Sequence, residues 1–79
     1  MTRVQIYSKP GCHLCDEAKA VLERVRRSVP FDLEEINIEG SAEHFERYKE
    51  EIPVVFINGR KAFKYHVEEA ALRRQLEKS

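Results

Sequence analysis

The stretch Ile6-Tyr7-Ser8-Lys9-Pro10-Gly11-Cys12-His13-Leu14-Cys15 carries a strand end, a turn and a cysteine pair in direct succession. Upstream, Arg3 to Tyr7 alternates Val4 and Ile6 with polar neighbours, the period-two pattern of a half-buried strand. Ser8-Lys9-Pro10-Gly11 then supplies turn chemistry. From His13 to about Ser28 the apolar residues Leu14, Ala18, Val21, Leu22 and Val25 recur at helical spacing, while Lys19, Glu23, Arg24 and Arg27 take the other face. The helix therefore opens at the cysteines, where free backbone N–H groups and the positive end of the helix dipole favour an anion. Cys12 is expected to be an accessible, partly ionised nucleophile. Cys15, one turn further along the same face, is expected to be a shielded resolving thiol.

Further along the chain, Pro30 stops the helical pattern and Phe31 to Ile38 reads as a second strand ending before Gly40. Ser41 is a candidate N-cap for a short helix with Phe45 and Tyr48 on one face, ending before Pro53. Val54-Val55-Phe56-Ile57 is a continuous apolar run of the kind a strand buried on both faces shows, and Asn58-Gly59 is a strong hairpin signal. Arg60 to Tyr65 should return as the paired strand. Val67 to Leu76 reads as a last amphipathic helix, with Glu68 and Glu69 in its first turn. The order β-α-β-α-β-β-α, with an early parallel crossover and a closing hairpin, predicts an α/β fold: a mixed four-stranded sheet flanked by helices, thioredoxin-like in architecture.

At 79 residues the chain is expected to be one domain over residues 1–79, because a core of this size does not divide. Lys and Arg number 14 against 14 Asp and Glu, so no overall field draws the chain to nucleic acid or an acidic membrane surface. The arginines at 24, 26, 27, 73 and 74 read as solvated helix faces. No apolar run approaches the roughly 18 residues of a membrane span, and the first residues lack the apolar core of a signal peptide, so a cytoplasmic monomer is expected.

Two cysteines so close together close a small loop, which removes little entropy from the unfolded chain. A redox pair is the more natural reading of this spacing. Other readings stay open: half of a zinc site completed from His13, His44 or His66, or an inert pair hidden at a buried helix start. The zinc reading is weakened because His13 lies between the cysteines and the other two lack H-x3–5-H spacing. Haem attachment fails because Asp16, not His, follows Cys15. As a redox pair, attack by Cys12 on a substrate disulfide and release by Cys15 require no metal or organic cofactor. A non-catalytic interaction or redox-sensing module is the alternative of a different class.

The opening segment, followed later by Ile52-Pro53-Val54-Val55-Phe56-Ile57-Asn58-Gly59, resembles glutaredoxins over nearly the whole chain. The resemblance implies a thiol-disulfide oxidoreductase with Cys12 as nucleophile and Cys15 as resolving thiol, and a cis Ile52–Pro53 bond. It also implies substrate contacts at Lys9, at His13 and Leu14 between the cysteines, and at Ile52 and Pro53. Lys9 would meet a glutathione carboxylate, and the Ile52 backbone would pair with substrate. Implied partners are a disulfide-containing protein or small thiol, with a flavoenzyme disulfide reductase or glutathione as electron donor. Two features depart from the family: Cys-His-Leu-Cys replaces Cys-Pro-Tyr-Cys, and Phe63-Lys64-Tyr65-His66 stands where Gly-Gly-x-Asp is usual. The second removes the glycines and the acid that hold glutathione, so weak glutathione binding is expected.

Overall fold

The alternating and continuous apolar segments assemble into one four-stranded sheet in the computed structural model, which describes residues 2–78. In chain order the elements are β1 (Arg3–Ser8), α1 (His13–Arg26), β2 (Asp32–Asn37), a short 3-10 turn (Ile38–Gly40), α2 (Ala42–Tyr48), β3 (Val54–Ile57), β4 (Arg60–Lys64) and α3 (Glu69–Lys78). The strands lie in the order β2-β1-β3-β4, with β1 and β2 parallel and the other two pairings antiparallel. This is the mixed sheet flanked by helices that the element order predicts.

Each face of the sheet has its own apolar cluster, and the period-two geometry of strands explains the division. Val4 and Ile6 of β1 and Val55 and Ile57 of β3 pack with Ala18, Leu22 and Val25 of α1 and Leu72 and Leu76 of α3. Tyr7 and Phe56 turn the other way, toward Phe45 and Tyr48 of α2 and toward Ile38, Ile52 and Cys15. The central strand β3 meets both clusters, which is why it needs four apolar residues in a row. Asn58 and Gly59 close the hairpin with φ of 51° and 82°, the two left-handed positions of a type I′ turn. The Asn58 side chain also accepts from the Arg3 N–H at 2.9 Å, tying the turn to β1.

Several boundaries differ from the sequence reading: β1 runs on to Ser8 rather than ending at Tyr7, β4 ends at Lys64 rather than Tyr65, and the last helix continues to Lys78. β2 stops at Asn37 rather than Ile38, because the Asn37 side chain accepts from the Glu39 N–H at 2.8 Å and turns the chain into the 3-10 segment. Phe31 precedes the strand and is buried in the larger cluster. Helix α3 begins at Glu69, two residues after Val67, with the Glu68 carbonyl accepting from the Leu72 N–H at 2.9 Å. Val67 instead packs on the core from the preceding connection. Ser41 caps α2 as expected, its hydroxyl accepting from the His44 N–H. Among the described residues no helix is long and apolar enough to cross a membrane.

Candidate active site

The turn after β1 decides where the cysteines stand. Gly11 takes φ of +77°, a left-handed conformation that a residue without Cβ adopts freely, and redirects the chain from the strand into α1. Cys12 then occupies the N-cap of α1 with extended backbone, φ −90° and ψ 109°. Its Sγ accepts from the Cys15 N–H at 3.1 Å, and its carbonyl accepts from the Asp16 N–H at 3.1 Å. The sulfur therefore sits where Ser or Asp usually caps a helix, beside donors that favour negative charge. Cys12 is half-buried, whereas Cys15 is 0% exposed, so one sulfur can be approached from outside and the other cannot. The two are joined as a disulfide, with Cα atoms 5.2 Å apart.

Beneath the pair lies an aromatic floor. The Tyr7 ring packs against Tyr48 at 4.8 Å, Phe56 at 5.3 Å and His44 at 5.3 Å between centroids. Burial in this cluster, then the neighbouring Tyr48, pushes the Tyr7 hydroxyl pKa up, so it stays neutral. The same cluster includes Ile52, which brings the segment before β3 against Cys15. Pro53 is fully buried, and the Ile52–Pro53 peptide is cis. The Pro53 carbonyl accepts from the Tyr65 N–H at 2.8 Å, which ties the end of the hairpin to this point.

The expectation for the Ile52 backbone needs correction. Its N–H donates to the Tyr48 carbonyl at 3.1 Å, leaving the Ile52 carbonyl, rather than both groups, to meet a partner. The competition is local: the chain leaves α2 through a tight turn whose last donors fold back on the helix. Lys9 is half-buried in the loop before the cysteines and forms no ion pair among the described residues. His13 is exposed and lies 3.9 Å from Glu17, one helical turn along α1; Leu14 is half-buried. His44 is taken up by the aromatic floor and does not approach a metal-binding arrangement. Among the described residues no group of three or more His, Cys, Asp or Glu could hold a metal ion.

Sequence reasoning missed the role of Glu69. It receives Arg24 at 2.9 Å and Arg73 at 3.3 Å, and the bond from Arg24 holds its carboxyl below the usual carboxylate range. It thus pins α1 to α3. The helical pattern places Glu69 near the start of α3 but gives no sign of Arg24, which lies on a different helix.

Comparison with known proteins agrees with this geometry. Residues 3–77 match the family described as the glutaredoxin-like domain (DUF836). A protein of Dictyostelium discoideum called glutaredoxin-like protein YDR286C homolog is 32% identical over 94% of this chain and 74% of its own length. The solution structure of protein Ne2328 from Nitrosomonas europaea superposes with a TM-score of 0.80 at 28% identity, covering 94% of this chain and 89% of that one. Thioredoxin from Fasciola hepatica superposes with a TM-score of 0.65 at 16% identity over 98% of this chain and 79% of its own, which speaks to the fold alone. With its cysteine pair at the start of α1 on a four-stranded mixed sheet, this chain belongs to the glutaredoxin-like domain family.

Proposed function

We propose that this chain is a thiol-disulfide oxidoreductase that reduces disulfides through a mixed disulfide on Cys12. The supporting observation is the inequality of the two sulfurs: Cys12 is reachable and hydrogen-bonded at a helix N-terminus, while Cys15 is buried within bonding distance of it. In the reduced protein the Cys12 thiolate attacks one sulfur of a substrate disulfide, and the other substrate sulfur leaves as a thiolate that takes a proton. Cys15 loses its proton and attacks the Cys12 sulfur, forming the intramolecular disulfide and releasing the second substrate thiol. Two electrons pass to the substrate, and an external thiol reductant returns the protein to its dithiol form. Lys9, His13, Leu14, Ile52 and Pro53 surround the reaction as substrate contacts.

Polypeptide disulfides suit this surface better than glutathione. The position where the family usually holds glycines and an acid is filled by Phe63, Lys64, Tyr65 and His66. Glu69, the nearby acid that could replace the missing one, is engaged with Arg24 and Arg73. The test is a pair of single-cysteine variants assayed with hydroxyethyl disulfide. Cys15→Ser should accumulate a stable mixed disulfide on Cys12 visible by mass spectrometry, and Cys12→Ser should be inert. Turnover that survives Cys12→Ser would overturn the proposal, and a wild-type protein that never turns over would leave an interaction or redox-sensing module.

A further inference from the structure

A groove of about 250 Å³ runs along the flank of α1 from Leu14, the residue before Cys15. Leu14, Ala18 and Val21 form one wall, and Tyr65, His66 and Val67 from the connection between β4 and α3 form the other. Leu14 stands between the cysteines in sequence and lies at the end of the groove nearest the helix start, although neither cysteine lines it; Val21 lies two turns down the helix, roughly 10 Å away by helical rise. At this size it falls below the roughly 300–1,000 Å³ of ordinary small-molecule sites and suits one large side chain.

Three features indicate what would fill it. Tyr65 is 41% exposed, the one exposed large hydrophobic residue among those described, and it lines this groove. Its backbone takes φ of +71°, a conformation unfavourable for any residue with a Cβ, yet a tyrosine stands there. The position is over-determined from both sides: the Tyr65 N–H is bonded to the Pro53 carbonyl at 2.8 Å, and the Lys64 ammonium lies 5.5 Å from the ring centroid. The backbone at 65 is thus tied to Pro53, with the Lys64 ammonium over one face of the ring and the ring itself left exposed. Glu17 supplies an acid to the same lining, with His13 at 3.9 Å and both side chains exposed. At that distance and exposure the contact is weak, so the carboxylate remains open to a substrate cation.

We infer that this groove is a docking site for the polypeptide substrate, taking a large apolar or aromatic side chain against Tyr65 and an adjacent lysine or arginine against Glu17. It rests on the proposed disulfide reduction and specifies the substrate class: a polypeptide with an apolar and basic pair close to its reducible cysteine. The groove acts before the sulfur chemistry by holding the segment next to Cys12, and it lowers KM for matching substrates.

The test uses short peptides whose cysteine is capped as a mixed disulfide with 2-mercaptoethanol, one with Phe-Arg near the cysteine and one with Ser-Glu. Each rate is divided by the same protein's rate on hydroxyethyl disulfide. Wild type should prefer the Phe-Arg peptide by roughly tenfold or more in kcat/KM, mostly through KM. Tyr65→Gly should erase the preference for Phe, and Glu17→Lys should reverse that for Arg. Glycine suits the left-handed backbone at 65, so loss in that variant cannot be assigned to misfolding. Equal use of the two peptides, or a preference that survives Tyr65→Gly, would overturn the inference. A second measurement needs no turnover: fluorescence anisotropy of labelled peptides with Ser in place of Cys, titrated with oxidised protein. Selective binding of the Phe-Arg peptide by a protein that reduces no disulfide would sustain the groove and sink the redox reading. Reduction without selective binding would do the opposite.

Discussion

Cys12 and Cys15 have the same side chain three positions apart, and their environments separate them. The first caps α1 and receives the Cys15 N–H at 3.1 Å; the second is 0% exposed among Ile38, Tyr48, Ile52 and Val54. Reactivity of a thiol follows its ionised fraction and its access. In the reduced protein at neutral pH, iodoacetamide should modify Cys12 faster than Cys15 by about tenfold or more. Peptide mapping after a short pulse checks this, and faster labelling of Cys15 would reverse the assigned roles. The unequal placing of Cys12 and Cys15 was legible in the spacing and in the helix periodicity. The spent N–H of Ile52 was not, because its acceptor is the Tyr48 carbonyl at the end of α2, a choice made by the path of the chain.

The hairpin between β3 and β4 shows what a single element contributes. An Asn-Gly pair reads directly as a type I′ turn, and the observed φ of 51° and 82° agree with it. A Cβ added at Gly59 would meet nothing within 4 Å, so the cost of Gly59→Ala is conformational rather than steric. It should destabilise the protein by about 1–2 kcal/mol, as a left-handed residue with a side chain does. Urea unfolding measures this, with an unchanged slope showing that the fold is kept. A change near zero would mean that the turn relaxes out of its left-handed form. β2 illustrates the opposite case. Asp32, Leu33, Glu34, Glu35, Ile36 and Asn37 carry little alternation, and the strand forms as an edge by parallel pairing with β1. Its charges also discourage further pairing at that edge.

Across the whole molecule, two clusters share one central sheet, and α1 and α3 are locked together on one side of it. Leu22 is fully buried in the larger cluster, so Leu22→Ala should cost ~2–5 kcal/mol. That is a large share of the ~5–15 kcal/mol that holds a typical domain folded. Thermal or urea unfolding reports it, and a loss under about 1 kcal/mol would show that the site collapses around the smaller side chain. The Arg24–Glu69–Arg73 clamp gives the pH dependence. Because the folded carboxyl of Glu69 titrates below its ordinary value, its contribution is complete above the unfolded value of about 4.3 and fades as pH falls through the folded one. Glu69→Gln should therefore be less stable than wild type near neutrality, with the difference vanishing in acid. Urea midpoints measured across that range test it; a difference that persists at the acid end would assign the effect to packing.

The sequence by itself determined the elements, the apolar positions that turn inward and the placing of the cysteine pair at a helix start. These are written in neighbours: the alternation of Val4 and Ile6, the helical spacing from Leu14 to Val25, the apolar run from Val54 to Ile57, and two cysteines at a helix start. Period and propensity act over a few residues, so a short window carries them. Only the tertiary structure decided which distant residues share a place. The strand order β2-β1-β3-β4 sets Ile52 beside Cys15, hands Glu69 to Arg24, and turns Tyr65 onto the flank of α1. Those meetings arise because burying both faces of one sheet brings remote segments together, and no local pattern records which partner each of them will find.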